Sequence, residues 1–258
     1  MTSQPKTILV TGGAKRVGRH IVERLAAMGH GVVIHANSGA ADAEALAKEL
    51  CADGASAWAV AADLSDGDAA EALVPEAAKI AGRKLSGLVN SASLFEFDDP
   101  KAIDRAAFDR AMAINLRAPA LLSQHFAAQV DAGVDNCIVN ILDQKLWNMN
   151  PDFFSYTLSK AGLLSATDMM ARAFAPKVRV NAVAPGLLLP SHDQTEAEFE
   201  ATASRNLMAR PIALDDVADA IGFLMTNTSL TGQVIHTDNG QRLASSARDV
   251  IFEAREGR

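Results

Sequence analysis

The chain has 258 residues, 49% of them hydrophobic, and a formal charge of −7. That is enough apolar material for one large core, and a mean hydropathy near zero is too low for a membrane protein. The acidic balance argues against a nucleic-acid surface, which needs clustered Lys and Arg, and leaves small-molecule chemistry as the expected class.

Residues 1–6 are polar and run directly into a strand-like segment, so the sequence predicts no signal peptide and a cytoplasmic protein. Cys51 and Cys137 are the only cysteines and stand in no ligand spacing, so no metal site is expected.

Short β-branched and aliphatic runs alternate with segments of helical period, the pattern of a parallel sheet built from strand–helix–strand units. The first predicted strand, 7–10, enters Thr11-Gly12-Gly13-Ala14-Lys15-Arg16-Val17-Gly18 and then a helix over 18–28. Glycines there allow a tight turn and close approach of a pyrophosphate, with free helix amides supplying positive potential.

The second strand, 32–35, ends in Ala36-Asn37-Ser38, where an NAD site usually carries a carboxylate. Lys15, His35, Asn37 and Ser38 can instead donate to a 2′-phosphate, so NADPH is the expected cofactor. A helix over 42–50, a strand over 57–61, a helix over 69–80, a strand over 88–90 and a helix over 105–129 follow.

The fifth strand, 137–141, leads through Asp143 to a helix over 153–174. On it Tyr156, the single tyrosine, and Lys160 stand four residues apart and share a face. An adjacent ammonium favours phenolate, so the pairing predicts a lowered phenol pKa and an acid–base role.

A sixth strand over 179–182 opens into an irregular stretch from Pro185 to Pro211 that is expected to cover the ligand site. A helix over 215–225 and a strand over 234–237 complete the pattern. The expected architecture is one α/β domain over residues 1–258, a Rossmann-type, doubly wound, seven-stranded parallel sheet with helices on both faces and a substrate loop at about 187–211.

In this order the motifs resemble the short-chain dehydrogenase/reductase family over roughly residues 6–243. The carriers are the glycine turn, Asp63-Leu64, Asn90-Ser91-Ala92-Ser93, Asn115, Tyr156-x-x-x-Lys160 and Arg179-Val180-Asn181-Ala182-Val183-Ala184-Pro185-Gly186. The resemblance implies that Asp63 and Leu64 border an adenine, that Asn90, Ser91, Ala92, Pro185 and Gly186 line the cofactor site, and that Lys160 also holds a ribose. It further implies that Asn115 positions a water for proton relay and that the protein is a homotetramer.

Three departures sharpen the expectation. Arg16 replaces the usual middle glycine, Ser91 and Ser93 alter the usual Asn-Asn-Ala-Gly, and Asp143 replaces the usual catalytic serine. An ionised Asp is an acceptor only and repels a developing alkoxide, which disfavours ordinary ketone reduction.

The combination resembles the pteridine reductase branch, which implies a flat pterin against Phe95, polar contacts from Ser93 and Arg16, and Leu187 at the start of the substrate loop. The expected function is NADPH-dependent pteridine reduction with Tyr156 as proton donor, assisted by Lys160 and Asp143. The alternatives are a carbonyl reductase of the 3-oxoacyl thioester type and a non-catalytic NADPH-binding protein.

Overall fold

The computed structural model describes residues 5–190, 194–244 and 246–255. Ser191, His192 and Asp193, which belong to the expected substrate loop, lie outside the described residues.

Seven parallel strands form one sheet in the order β3-β2-β1-β4-β5-β6-β7. They are β1 (Thr7–Val10), β2 (Gly31–Ala36), β3 (Ala57–Ala61), β4 (Gly87–Asn90), β5 (Asn136–Ile141), β6 (Val178–Pro185) and β7 (Val234–Thr237). Since β1 and β4 are neighbours from which the chain winds in opposite directions, a crevice opens at their carboxyl ends.

Side-chain alternation divides each strand between two cores. Ile8, Val10, Val32, Ile34 and Val139 pack toward α1 (Arg16–Ala27), α2 (Ala40–Ala52) and α8 (Leu214–Thr226). Leu9, Val33, Leu88 and Ile138 pack toward α3 (Gly67–Ala81), α5 (Ala118–Gln129) and α6 (Phe154–Phe174). Burial on both faces explains why the strands read as continuous apolar runs.

The helix expected over 105–129 is interrupted. α4 (Arg105–Met112) passes into a π-helical turn, Ala113–Arg117, before α5 begins. The extra residue in this turn rotates the helix faces on either side of Asn115, and such π-turns gather at functional sites.

The stretch expected to be irregular contains α7 (Glu196–Ala203), started by a reciprocal capping box between Thr195 and Glu198. A short helix, α9 (Val250–Arg255), follows β7 and was not anticipated. Among the described residues no helix is long and apolar enough to cross a membrane.

The start of α6 fixes the height of Tyr156. Phe153 precedes it in the left-handed region, φ 54°, and offers no side-chain cap. Asp98, arriving from the loop after β4, supplies the cap instead by accepting from the Ser155 N–H at 2.9 Å and from the Ser155 hydroxyl. Asp98→Ala strands these buried donors and is expected to lower stability by about 1–3 kcal/mol, read as a loss in urea midpoint with an unchanged slope.

Candidate active site

Two cavities meet at the carboxyl end of the sheet. The larger, about 450 Å³, runs beneath the glycine turn and is walled by Gly12, Lys15, Val17, Gly18, Asn37, Asp63, Leu64 and Ala92. The smaller, about 270 Å³, is walled by Phe95, Asp143, Tyr156, Lys160, Pro185, Gly186 and Leu187. Arg16, Val17, Ser91 and Ser93 border both.

The turn needs its glycines for stated reasons. Gly12 sits at φ +64°, and a Cβ there would lie 3.0 Å from the Ala92 backbone. A Cβ on Gly18 would fall 2.0 Å from the Gly12 carbonyl oxygen, so the first turn of α1 closes on the loop only without a side chain. Arg16 keeps the backbone of the glycine it stands in for, with φ 51°, and its Nη2 donates to the Pro190 carbonyl at 2.7 Å.

At the opposite end of the larger cavity, Lys15 pairs with Asp42 at 2.8 Å in an exposed position, and Asn37 donates to Asp63 at 3.4 Å. Asp63 is held below the usual carboxylate range by the backbone and hydroxyl of Ser65. Ser38 is exposed and is not part of the cavity wall.

Two expected cofactor residues are engaged by the protein itself, although His35 also lines the larger cavity. His35 is buried, its Nδ1 accepting from the Gly12 N–H at 3.1 Å and its Nε2 lying 3.1 Å from the Ala62 carbonyl oxygen. Burial holds this imidazole below its usual pKa, so it braces the glycine turn as a neutral ring instead of donating to a phosphate. Asn90 is buried in the sheet and donates to Asn140 at 2.8 Å, away from the cavities.

Asn115 is likewise engaged by the protein. From the π-turn its side chain accepts from the Leu94 N–H at 2.7 Å and donates to the Leu94 carbonyl at 2.9 Å and the Ser159 hydroxyl at 3.0 Å. It therefore clamps the strand-end segment that carries Ser93 and Phe95 on either side of Leu94. Both of its side-chain donors are taken, so a held water is left the Asn115 oxygens as acceptors.

The chemical centre lies between β5 and α6. Tyr156 donates its phenolic proton to Asp143 Oδ2 at 2.7 Å, and Asp143 Oδ1 accepts from the Lys145 N–H at 2.8 Å. Asp143 thus caps the 3₁₀ turn Gln144–Trp147 and aims the phenol at once.

Lys160 donates to the Ile141 carbonyl at 2.7 Å, with its ammonium 5.8 Å from the Tyr156 ring centre. Burial lowers the Lys160 pKa to about 8, opposed by the Asp143 charge.

The expected lowering of the phenol pKa is corrected. Burial first, and then the Asp143 carboxylate, push Tyr156 well above its usual value. Burial also raises Asp143, against the hydrogen bonds that it accepts from Lys145 and Tyr156. The phenol is therefore held protonated, a donor and not a resting phenolate.

Phe95 forms an apolar wall beside it, stacked on Phe153 with ring centres 4.1 Å apart and edge-on to Tyr156 at 4.7 Å. Sequence reasoning passed over Lys145, Gln241 and the segment Asp249-Val250-Ile251, all of which line the smaller cavity. Lys145 carried a usable signal, since it lies two residues beyond Asp143 at a strand's carboxyl end; the C-terminal segment carried none.

A family model described as short chain dehydrogenase matches residues 6–207. The chain belongs to the short-chain dehydrogenase family.

Within that family, it is 40% identical to a solved structure of FolM alternative dihydrofolate reductase 1 from Brucella canis complexed with NADP. The TM-score is 0.90, covering 96% of this chain and 98% of the other. It is 29% identical to 3-oxoacyl-[acyl-carrier-protein] reductase FabG of Staphylococcus aureus, over 91% of this chain and 97% of that protein. A dihydromonapterin reductase from Klebsiella pneumoniae is 26% identical, over 93% of this chain and 98% of that protein. The expected fold and family are thus confirmed, and the chain is an oxidoreductase of this family.

Proposed function

We propose that this short-chain dehydrogenase reduces a C=N bond of a dihydropteridine or dihydrofolate-like ring with NADPH. The observation that carries the reading is the carboxylate of Asp143, hydrogen-bonded to Tyr156 at 2.7 Å where a ketone reductase uses a serine hydroxyl.

The cofactor suits the larger cavity. Gly12 and Gly18 leave open the cradle that a Cβ would crowd, β2 ends without a carboxylate to repel a 2′-phosphate, and Lys15 and Asn37 stand at that end. Bound there, NADPH supplies the hydride.

The remaining work belongs to the chain. Phe95 offers a flat apolar face to the ring, while Ser93 and Arg16 give polar contacts on the boundary between the two cavities. Tyr156 delivers its proton to the nitrogen beside the carbon being reduced. The nearby Lys160 ammonium stabilises the phenolate left behind, and the buried Asp143 carboxyl orients the phenol and takes part in returning its proton. Leu187, Leu188 and Leu189, at the start of the proposed substrate loop, line this cavity.

The likeness to FolM alternative dihydrofolate reductase 1 and to dihydromonapterin reductase supports this reading. A homotetramer belongs to it as well, supported by Leu158 and Met169 exposed on α6, and so does a cytoplasmic location.

The test is NADPH oxidation with dihydrobiopterin, dihydromonapterin, dihydrofolate and, as the rival, an acetoacetyl thioester, repeated with NADH. Turnover of the pteridines with NADPH preferred is expected. Turnover of the thioester alone overturns the reading.

A further inference from the structure

The smaller cavity holds a second lysine that the proposed chemistry does not use. Lys145 is 3% exposed, and its ammonium donates to Asp249 Oδ2 at 2.9 Å and to Asn150. Asp249 lies 104 residues further along the chain and just ahead of α9, so the contact ties the C-terminal segment to the turn that carries Asp143.

A second ion pair, with its carboxylate buried, repeats the tie. Arg248 Nε meets Asp152 Oδ2 at 2.8 Å, and the Asp249 N–H donates to the same Asp152 oxygen at 2.7 Å. Phe252 then packs toward Phe153 and Phe97, which continues the apolar wall behind Phe95.

A purely structural clip has no need of a buried ammonium beside a reaction centre, since apolar packing of equal volume fastens two segments at less desolvation cost. Here the Lys145 N–H also donates to Asp143 Oδ1, and both Lys145 and Asp249 face the cavity shared with Tyr156.

We propose that Lys145 and Asp249 are positioning residues for proton delivery, the lysine fixing Asp143 against Tyr156 and the C-terminal segment, through Asp249, balancing the lysine's charge. The inference rests on the reading of Asp143 and Tyr156 as the proton-delivering couple.

The charged and titratable groups around Asp143 are few. Tyr156 and Lys160 face it from α6, Lys145 from the 3₁₀ turn, Asp249 from the segment ahead of α9, and Arg16 borders the same cavity from the turn after β1. The Lys145 charge favours ionised Asp143, whereas Asp249 favours the protonated forms of both Asp143 and Tyr156. Removing Asp249 therefore leaves the Lys145 charge unbalanced beside the phenol.

Because Tyr156 is the chain's single tyrosine, alkaline titration of the phenolate band in the near-ultraviolet reports this site alone and needs no substrate. Asp249→Asn removes a carboxylate that favours the protonated phenol and is expected to lower the midpoint by roughly one unit.

In Asp249→Asn the alkaline limb of kcat/KM for dihydrobiopterin with NADPH is expected to move in the same direction, with NADPH affinity unchanged. Asp249→Asn is isosteric and keeps the packing around Lys145. An unshifted midpoint in Asp249→Asn overturns the proposal. Loss of the proposed function is seen separately, as an absence of pteridine turnover in the unaltered protein while the phenol midpoint of Asp249→Asn still moves.

Discussion

Replacing Tyr156 with Phe is expected to cut kcat by on the order of 10²–10⁴-fold and to leave NADPH affinity intact. The substitution keeps the ring that meets Phe95 edge-on and removes only the hydroxyl that donates to Asp143. No other hydroxyl donates to Asp143 among the described hydrogen bonds, and Lys160 is directed at the Ile141 carbonyl and cannot replace a phenol in the same place.

Steady-state rates with dihydrobiopterin, set beside a fluorescence titration of NADPH, separate the two effects. The unchanged affinity matters as much as the lost rate, because the larger cavity is walled without Tyr156. A variant that reduces dihydropteridine at the original rate would remove the phenol from the mechanism.

Asp143→Ser discriminates between substrate classes. Serine remains a good N-cap, so the amide of Lys145 keeps an acceptor and the 3₁₀ turn Gln144–Trp147 stays in place. What disappears is the carboxyl group that accepts the Tyr156 proton, and what arrives is a hydroxyl able to donate to a carbonyl oxygen.

Pteridine turnover is expected to fall by about 10²-fold or more, the usual worth of an acid–base group, with reduction of an acetoacetyl thioester held level or increased. Both rates are followed as NADPH absorbance loss in the same preparation. Equal losses for the two substrates would show that Asp143 only holds the turn together.

Much of this was legible in the sequence, and the reason is local. The inner strands announce themselves because both faces are buried, and the glycine turn because Gly12 and Gly18 leave no room for a Cβ. Tyr156 and Lys160 share a helix face by simple period.

Legibility stops where side-chain direction or distant contact decides. Asn90 sits beside Asn140 in the sheet register, on the α5–α6 side with Ser123 and Thr167 nearby, so its motif position did not disclose which way it points. His35 lies in β2, which ends at the cofactor cavity, yet its ring is tied to Gly12 and Ala62. The sign of the Tyr156 shift depends on burial and on a hydroxyl–carboxylate bond, neither of which a four-residue spacing encodes. The π-turn keeps an ordinary helical composition, and Lys145 meets Asp249 only after the whole fold has closed.

Arg16 grips the far loop through a main-chain oxygen at Pro190. A grip on backbone does not read side chains, so the wall beyond it is free to change its residues while remaining fastened to the nucleotide turn. One scaffold can in this way exchange the shapes it admits without rebuilding the hinge between its two chambers.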